Sequence, residues 1–265
     1  MEIADTIRET LMKPKTKKSL VRSVSQWTAK LVLKSVLVLI SLTLLQVVLL
    51  KYVNPPFTIN MVWERLRHDW FDAPYVVHEY EWRDLSNISS HLQQAVLAGE
   101  DQRFFTHQGF DFQEIKVVLE QMMEGKPPRG ASTITMQAAR SVFLPATRNP
   151  VRKLGEAWYT VMMELIWDKH RILEIYLNTV DWGSGIVGAQ AGARRYFETT
   201  AAELTRNQAA WMAAVLPSPH KWSPTDPTPF LEKRQQRILA DMALMPFLKG
   251  RDLEITDKAG DQWGE

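Results

Sequence analysis

The stretch GEDQRFFTHQGFD, residues 99–111, combines an acidic pair, an arginine and a histidine with phenylalanine and glycine. Glu100 directly follows the apolar run AVLAG, and Arg103 and His107 follow it at i+3 and i+7, on one face of a helix. A carboxylate that emerges from an apolar run has a raised pKa, which suits a general base. The stretch therefore indicates a helix that carries a candidate base, while a surface helix charged for solubility is the alternative.

A second stretch, KPPRGASTITMQAARSVFLPATRNPVRK over residues 126–153, contains six cations and no acid. Within it Ser132 is a candidate helix cap, and Thr133, Gln137 and Arg140 follow on one helical face. Backbone N–H groups, hydroxyls and a guanidinium gathered at one place can hold phosphate without a P-loop. The stretch predicts an anionic ligand, and a solvated basic face beside anionic lipid is the alternative. Its cations are Lys126, Arg129, Arg140, Arg148, Arg152 and Lys153.

Glu156 follows this stretch and lies one helical turn beyond Arg152. Taken alone, the spacing indicates a structural ion pair. Taken with Glu100 and the cations, it indicates glycosyl transfer from a phosphate leaving group, which needs one base and one place where negative charge is stabilised.

Residues 31–53, LVLKSVLVLISLTLLQVVLLKYV, form a candidate transmembrane helix whose only charges, Lys34 and Lys51, lie near its ends. A buried core helix and a cleaved signal peptide are the alternatives, but small residues for cleavage do not follow the run. Residues 1–30 contain seven cations and three acids. The positive-inside rule therefore predicts a cytoplasmic N-terminus and a single-pass protein whose remaining chain lies outside the bacterial inner membrane, in the periplasm.

Composition and isolated motifs exclude several classes of function. A net charge of only +2 argues against a nucleic-acid partner, and the absence of cysteine excludes disulfides and thiolate chemistry. The histidines lack the spacing of a zinc site. Gly183, Gly185 and Gly188 spell G-x-G-x-x-G without a surrounding βαβ unit, and the S-x-x-K at residues 218–221 lacks the other transpeptidase motifs.

Capping and periodicity predict a mainly α-helical domain. The predicted helices are 90–104, 112–124, 132–143, 150–167, 169–178, 186–197, 206–215 and 229–245, and the best strand signal is 75–82. The predicted organisation is a basic N-terminus (1–30), the anchor (31–53), a membrane-proximal linker (54–81), a catalytic domain (82–247) and a polar tail (248–265).

Four motifs resemble the peptidoglycan glycosyltransferase family of the penicillin-binding proteins, in particular its monofunctional, membrane-anchored members. They are Glu100-Asp101-x-x-Phe104-x-x-His107-x-Gly109, Gly130-x-Ser132-Thr133-Ile134-x-x-Gln137, Arg152-Lys153-x-x-Glu156 and Arg171-Ile172-Leu173-x-x-Tyr176-Leu177-Asn178. The resemblance implies a lysozyme-like helical fold. It also implies that the enzyme polymerises lipid II into linear β-1,4 glycan by inverting transfer, with release of undecaprenyl diphosphate and without transpeptidase activity.

The resemblance also implies roles for individual residues. Glu100 corresponds to the general base, and Glu156 to a second catalytic glutamate that assists at the donor diphosphate, with or without a divalent Mg²⁺ or Mn²⁺ ion. Arg140 departs from the family, which usually has lysine there: an arginine keeps the positive charge but is poorly suited to donate a proton to the leaving group. The substrate-binding group comprises Asp101, Arg103, His107, Gly130, Ser132, Thr133, Gln137, Arg140, Arg148, Arg152 and Lys153.

The implied partners are lipid II, the growing glycan chain, membrane lipids and other cell-wall synthesis or division proteins, with no organic cofactor. Two alternatives remain open at this stage. A lytic transglycosylase or lysozyme-like hydrolase would share a catalytic glutamate, but it has no need of the acid-free cations. A non-catalytic scaffold would use the anchor and exposed tryptophans such as Trp158, Trp167, Trp182 and Trp211.

Overall fold

The N-terminal part of the structure is one long helix. The computed structural model describes residues 17–125, 130–147, 149–249 and 252–254. Helix α1 (Lys17–Tyr52) extends through the predicted anchor, and its segment Gln26–Tyr52 is long and apolar enough to cross a membrane. The chain divides into two compact units between Gln46 and Val47, so the last turns of α1 belong to the second unit.

The second unit is mainly helical, as predicted. After α2 (Ile59–Phe71) come α3 (Ser90–Glu100), α4 (Phe112–Met123), α5 (Ile134–Phe143), α6 (Pro150–Ile166), α7 (Lys169–Thr179), α8 (Ala189–Phe197), α9 (Arg206–Val215) and α10 (Pro229–Asp241). Helix α2 lies in the segment predicted to be a linker. The Thr58 side chain accepts a hydrogen bond from the backbone N–H of Met61 and caps the helix. The helix therefore begins shortly after Pro55 and Pro56, which cannot continue α1.

Several predicted helix boundaries were wrong by a few residues. Helix α5 begins after Thr133, which accepts a hydrogen bond from Met136, so Thr133 and not Ser132 is the N-cap. Helix α8 begins after Gly188, whose φ of 84° breaks the helical path. The first helix of the catalytic motif ends at Glu100 instead of residue 104, and the last one tightens into a 3₁₀ turn, Met242–Leu244.

Strands are short, and one pair lies in the predicted tail. The predicted strand 75–82 is reduced to β1 (Glu79–Tyr80), which pairs in parallel with β3 (Ile186–Val187), and β3 pairs antiparallel with β2 (Asp181–Gly183). Strands β4 (Phe247–Lys249) and β5 (Asp252–Glu254) form a hairpin. Leu248 is buried, and its N–H donates to Gln93 Oε1 at 2.9 Å, so the hairpin is attached to the core.

The core forms where two sets of helices pack. Helix α3 packs against α9 and α10, while α5 packs against both α6 and α7. Trp182 and Phe104 are fully buried, and Trp167 and Trp211 also belong to the core, whereas Trp158 is partly exposed. This packing brings the end of α3 to the side of α5.

Candidate active site

Glu100 lies at the C-terminal end of α3 with a largely buried side chain, 12% exposed. Its Oε2 accepts a hydrogen bond from Gln137 Nε2 at 3.0 Å, and its Oε1 accepts one from Arg234 Nη2 at 2.8 Å. Burial raises the pKa of Glu100 above its ordinary value, although Arg234 and Gln137 act in the opposite direction. The predicted base is therefore present in the environment that the apolar run indicated.

Arg234 is a site residue that the sequence reasoning missed. It extends from α10, and besides Glu100 it donates to the carbonyls of Gly99 at 3.1 Å and Ala214 at 3.2 Å. A signal was available, because Arg234 falls between Leu231 and Ile238, which are buried positions on one face of α10. An arginine on the buried face of a helix needs an acceptor or an acid nearby.

Asp101 and His107 interact with each other and with the start of α5. His107 Nε2 lies 2.9 Å from Asp101 Oδ1, and Asp101 Oδ2 accepts the N–H of Ile134 at 2.9 Å. Thr133 donates to the carbonyl of Gly109 at 2.6 Å. These contacts attach the loop after Glu100 to the first turn of α5, which carries Gln137.

Arg103 also makes contacts within its own loop. It forms a bidentate ion pair with Asp111, at 2.8 and 3.0 Å, and a longer contact with Glu114. Burial acts against the ionised form of Asp111, but hydrogen bonds from Arg103 and from the Glu114 backbone outweigh it and lower the pKa of Asp111. Arg103, expected to bind substrate, thus braces the N-terminus of α4.

A second centre forms around Glu156 in α6. Its side chain is 1% exposed, one oxygen accepts from Arg152, and the other accepts from Lys153 at 2.8 Å. Burial and the charges of Arg140 and Arg152 lower the pKa of Lys153. The prediction that Glu156 pairs with Arg152 is confirmed, and Lys153 joins the pair.

Arg140 acts electrostatically on a group in each of the two centres. Its positive charge lowers the pKa of Glu100 and that of Lys153, so both groups lie within its electrostatic reach. Ser132 is half-buried, and a Cβ at Gly130 would meet nothing within 4 Å, which leaves open space beside the start of α5. Three predicted cations, Lys126, Arg129 and Arg148, lie outside the described residues.

The arrangement has the two parts of a glycosyl-transfer site, a buried carboxylate and a cluster of cations. The profile of the family described as Transglycosylase matches residues 72–243. The chain belongs to the transglycosylase family. It is 44% identical to a biosynthetic peptidoglycan transglycosylase of Shewanella oneidensis, over 84% of this chain and 92% of that protein. It is 45% identical to one of Pseudomonas entomophila, over 74% of this chain and 83% of that protein.

Family membership confirms the resemblance drawn from the four motifs, and with it the lysozyme-like helical fold. The matched region of the transglycosylase domain begins ten residues before the predicted limit at residue 82 and includes both glutamate centres. It also includes Arg234, so Glu100 and both of its side-chain hydrogen-bond partners lie within the family domain.

Proposed function

We propose that this chain polymerises lipid II into β-1,4 glycan strands by inverting glycosyl transfer and releases undecaprenyl diphosphate. The observation that carries the proposal is the placement of Glu100. Its side chain is buried, and its two oxygens accept hydrogen bonds from Gln137 and Arg234. The positive charge of Arg140 acts to lower the pKa of Glu100 and also that of Lys153. Lytic cleavage between two neutral sugars gives these cations no role.

The proposed reaction is one displacement. Glu100 accepts the proton of the acceptor 4-hydroxyl as that oxygen attacks C1 of the donor sugar. The C1–oxygen bond to the diphosphate breaks, and its electron pair leaves with the diphosphate. Arg140, Arg152 and Lys153 stabilise the negative charge that develops there. Attack opposite the leaving group converts an α-linked donor into a β-linked product, so a covalent glycosyl-enzyme is not needed.

Glu156 has the role of holding cations in this scheme. Both of its oxygens already accept from Arg152 and Lys153, so the donor set does not fit the divalent ion that the resemblance allowed there. Among the described residues, the group whose spacing could hold a metal is Asp101, His107 and Asp111, and its carboxylates accept hydrogen bonds from Ile134, His107, Arg103 and Glu114. No step is assigned to a metal.

The membrane partner is supported by the outer face of α6. Five side chains without charge lie on one face and are exposed, while Glu156 and Met163 on the opposite face are buried. An exposed apolar stripe of this kind fits the outer leaflet better than water. The stripe comprises Val151, Leu154, Trp158, Val161 and Leu165. With the N-terminus cytoplasmic, the transferase domain would lie in the periplasm, where other cell-wall synthesis proteins could bind it.

The decisive experiment uses the full chain in detergent with labelled lipid II. We expect long glycan and free undecaprenyl diphosphate, with no effect of penicillin. In a parallel incubation, finished uncrosslinked glycan should yield no shorter fragments. Fragments from finished glycan, together with unconsumed lipid II, would contradict the proposal in favour of a lytic enzyme.

A further inference from the structure

The C-terminal end of α1 is bound by an arginine of the second unit. The last carbonyls of a helix have no partner within it. Arg171, in the first turn of α7, donates to Leu50 O through Nε and Nη2, at 3.0 and 2.8 Å, and to Val53 O at 3.0 Å. It also donates to Asn54 Oδ1 at 2.8 Å. A guanidinium at this end also complements the helix dipole.

Three further hydrogen bonds hold the same segment. Trp167 Nε1 donates to Val47 O at 2.8 Å, and Lys51 Nζ donates to Ile166 O at 2.6 Å. Ile166 and Trp167 lie at the turn between α6 and α7, so both hydrogen bonds attach the end of α1 to this turn. Tyr80 donates its hydroxyl proton to Pro55 O at 2.6 Å. Burial raises the pKa of Tyr80 to about 12, so this hydroxyl remains a donor at neutral pH.

The charge of Arg171 is buried and balanced. Its side chain is 9% exposed, and Nη1 lies 2.6 Å from Glu174 Oε2. Glu174 also accepts the N–H of Leu85 at 3.0 Å, and the guanidinium lies over the Trp82 ring at 5.2 Å. Arg171 and Glu174 therefore form a fully hydrogen-bonded ion pair at the end of α1. Such a pair indicates that this end of the helix has a defined position in the second unit.

We propose that Arg171 is a positioning residue that fixes the end of the membrane anchor in the transferase domain and so sets the height of the active site at the lipid surface. Helix α7 carries Arg171 and packs against α5, which carries Gln137 and Arg140. The inference deepens the proposed function and rests on it, because only a substrate whose tail stays in the bilayer makes that height matter.

The test distinguishes a change in the height of the active site at the lipid surface from a loss of folding stability. In the full chain, Arg171→Met is combined with Glu174→Gln, which removes both charges and leaves an oxygen to accept the Leu85 N–H. Misplacement by about 1 Å can cost about 100-fold in rate, so we expect polymerisation in lipid vesicles to fall at least about tenfold. In detergent, where enzyme and substrate can adjust their relative height, the change should stay within about twofold. Arg194→Met is the matched control, because Arg194 is exposed and pairs with Glu81.

Trp167→Phe serves as a second variant that keeps an aromatic side chain but removes the donor to Val47 together with part of the buried indole. It should lower the vesicle-to-detergent activity ratio in the same direction, by less. Equal losses in vesicles and detergent would mean that Arg171 only stabilises the fold, and unchanged activity in both would also overturn the proposal.

Amide exchange gives a readout that does not depend on catalysis. The N–H of Val53 donates to Leu49 O at 3.0 Å, and it should exchange faster in the double variant than in the parent or in Arg194→Met. If the parent polymerises lipid II in neither medium, the proposed function fails, and exchange still decides whether Arg171 holds the anchor. Unchanged amide exchange at residues 51–53 would contradict the proposal that Arg171 holds the end of the anchor.

Discussion

The two glutamate centres use the same residue type in opposite electrostatic settings. Glu100 accepts one hydrogen bond from a neutral amide and one from Arg234, and burial keeps its pKa raised. Glu156 is more deeply buried, yet both of its oxygens accept from cations, Arg152 and Lys153. Removal from water alone therefore does not make a base. We expect the number of cations held directly against the carboxylate to distinguish the proposed proton acceptor from the carboxylate that holds cations.

The comparison also explains why the centres can work on one substrate. A base must be able to change its charge during the reaction, whereas the cations around Glu156 must keep theirs. Arg140 influences both centres without forming part of the Glu100 hydrogen bonds. Variants that alter one centre should therefore change a different kinetic parameter from variants that alter the other.

The largest effect is expected from Glu100→Gln. The amide keeps the size of the side chain but cannot accept the proton, so kcat should fall by about 10²–10⁴-fold while KM changes little. Steady-state assays with lipid II in detergent, with the thermal midpoint as folding control, would measure this. Turnover above about a tenth of the parent's would remove Glu100 from the role of base.

Glu156→Gln should affect binding more than chemistry. The amide leaves Arg152 and Lys153 without their balancing charge, and hydrogen bonds to charged groups contribute about 1.5–3 kcal/mol, so KM should rise about 10–100-fold. A fall in kcat at unchanged KM would instead show that the two centres do not divide the work in this way.

Arg234→Met should shift the pH profile. Glu100 acts as a base only when ionised, so activity is lost as the pH falls through its pKa, which already lies above the ordinary value. Arg234 lowers that pKa, so its removal should move the acid limb of kcat to higher pH and reduce kcat at neutral pH by about tenfold. Lys233→Met, an exposed change on the same helix, is the control. An unmoved acid limb would separate Arg234 from the base.

Local patterns predicted the centres well where the partners lie near in sequence. Arg152 and Glu156 are one turn apart, so their contact could be inferred from periodicity, as could the helical face on which Gln137 lies. Arg234 lies more than a hundred residues after Glu100, and only the packing of α3 against α10 brings them together. The short strands were poorly predicted for a related reason. Strand β1 forms because it pairs with β3, which lies about a hundred residues later in the chain.

Helix α2 lies within residues 54–81, which were predicted to be a membrane-proximal linker, so this helix was missed. That Asp101 and His107 contact substrate stays a prediction; in the structure Asp101 accepts the N–H of Ile134 in the first turn of α5, and His107 contacts Asp101. A motif identifies residues that a site requires, but spacing alone does not distinguish groups that contact the substrate from groups that hold the contacting helix in place.

The smallest effect is expected from Arg140→Lys, which restores the usual family residue. The neighbours respond to the charge at this position, since it lowers the pKa of both Glu100 and Lys153, and a lysine keeps that charge. Activity should therefore stay within about threefold of the parent, well below the 1.4 kcal/mol that a tenfold change represents. Arg140→Met should lose much more, because negative charge developing on the diphosphate would lack the cation that acts on both centres. A guanidinium is effectively never deprotonated, so a large gain in rate with lysine, together with a new basic limb in the pH profile, would mean that a titratable group at position 140 donates a proton to the leaving group. Comparable activity of the parent and Arg140→Lys, with an unchanged basic limb, would mean that positive charge is what the reaction needs there.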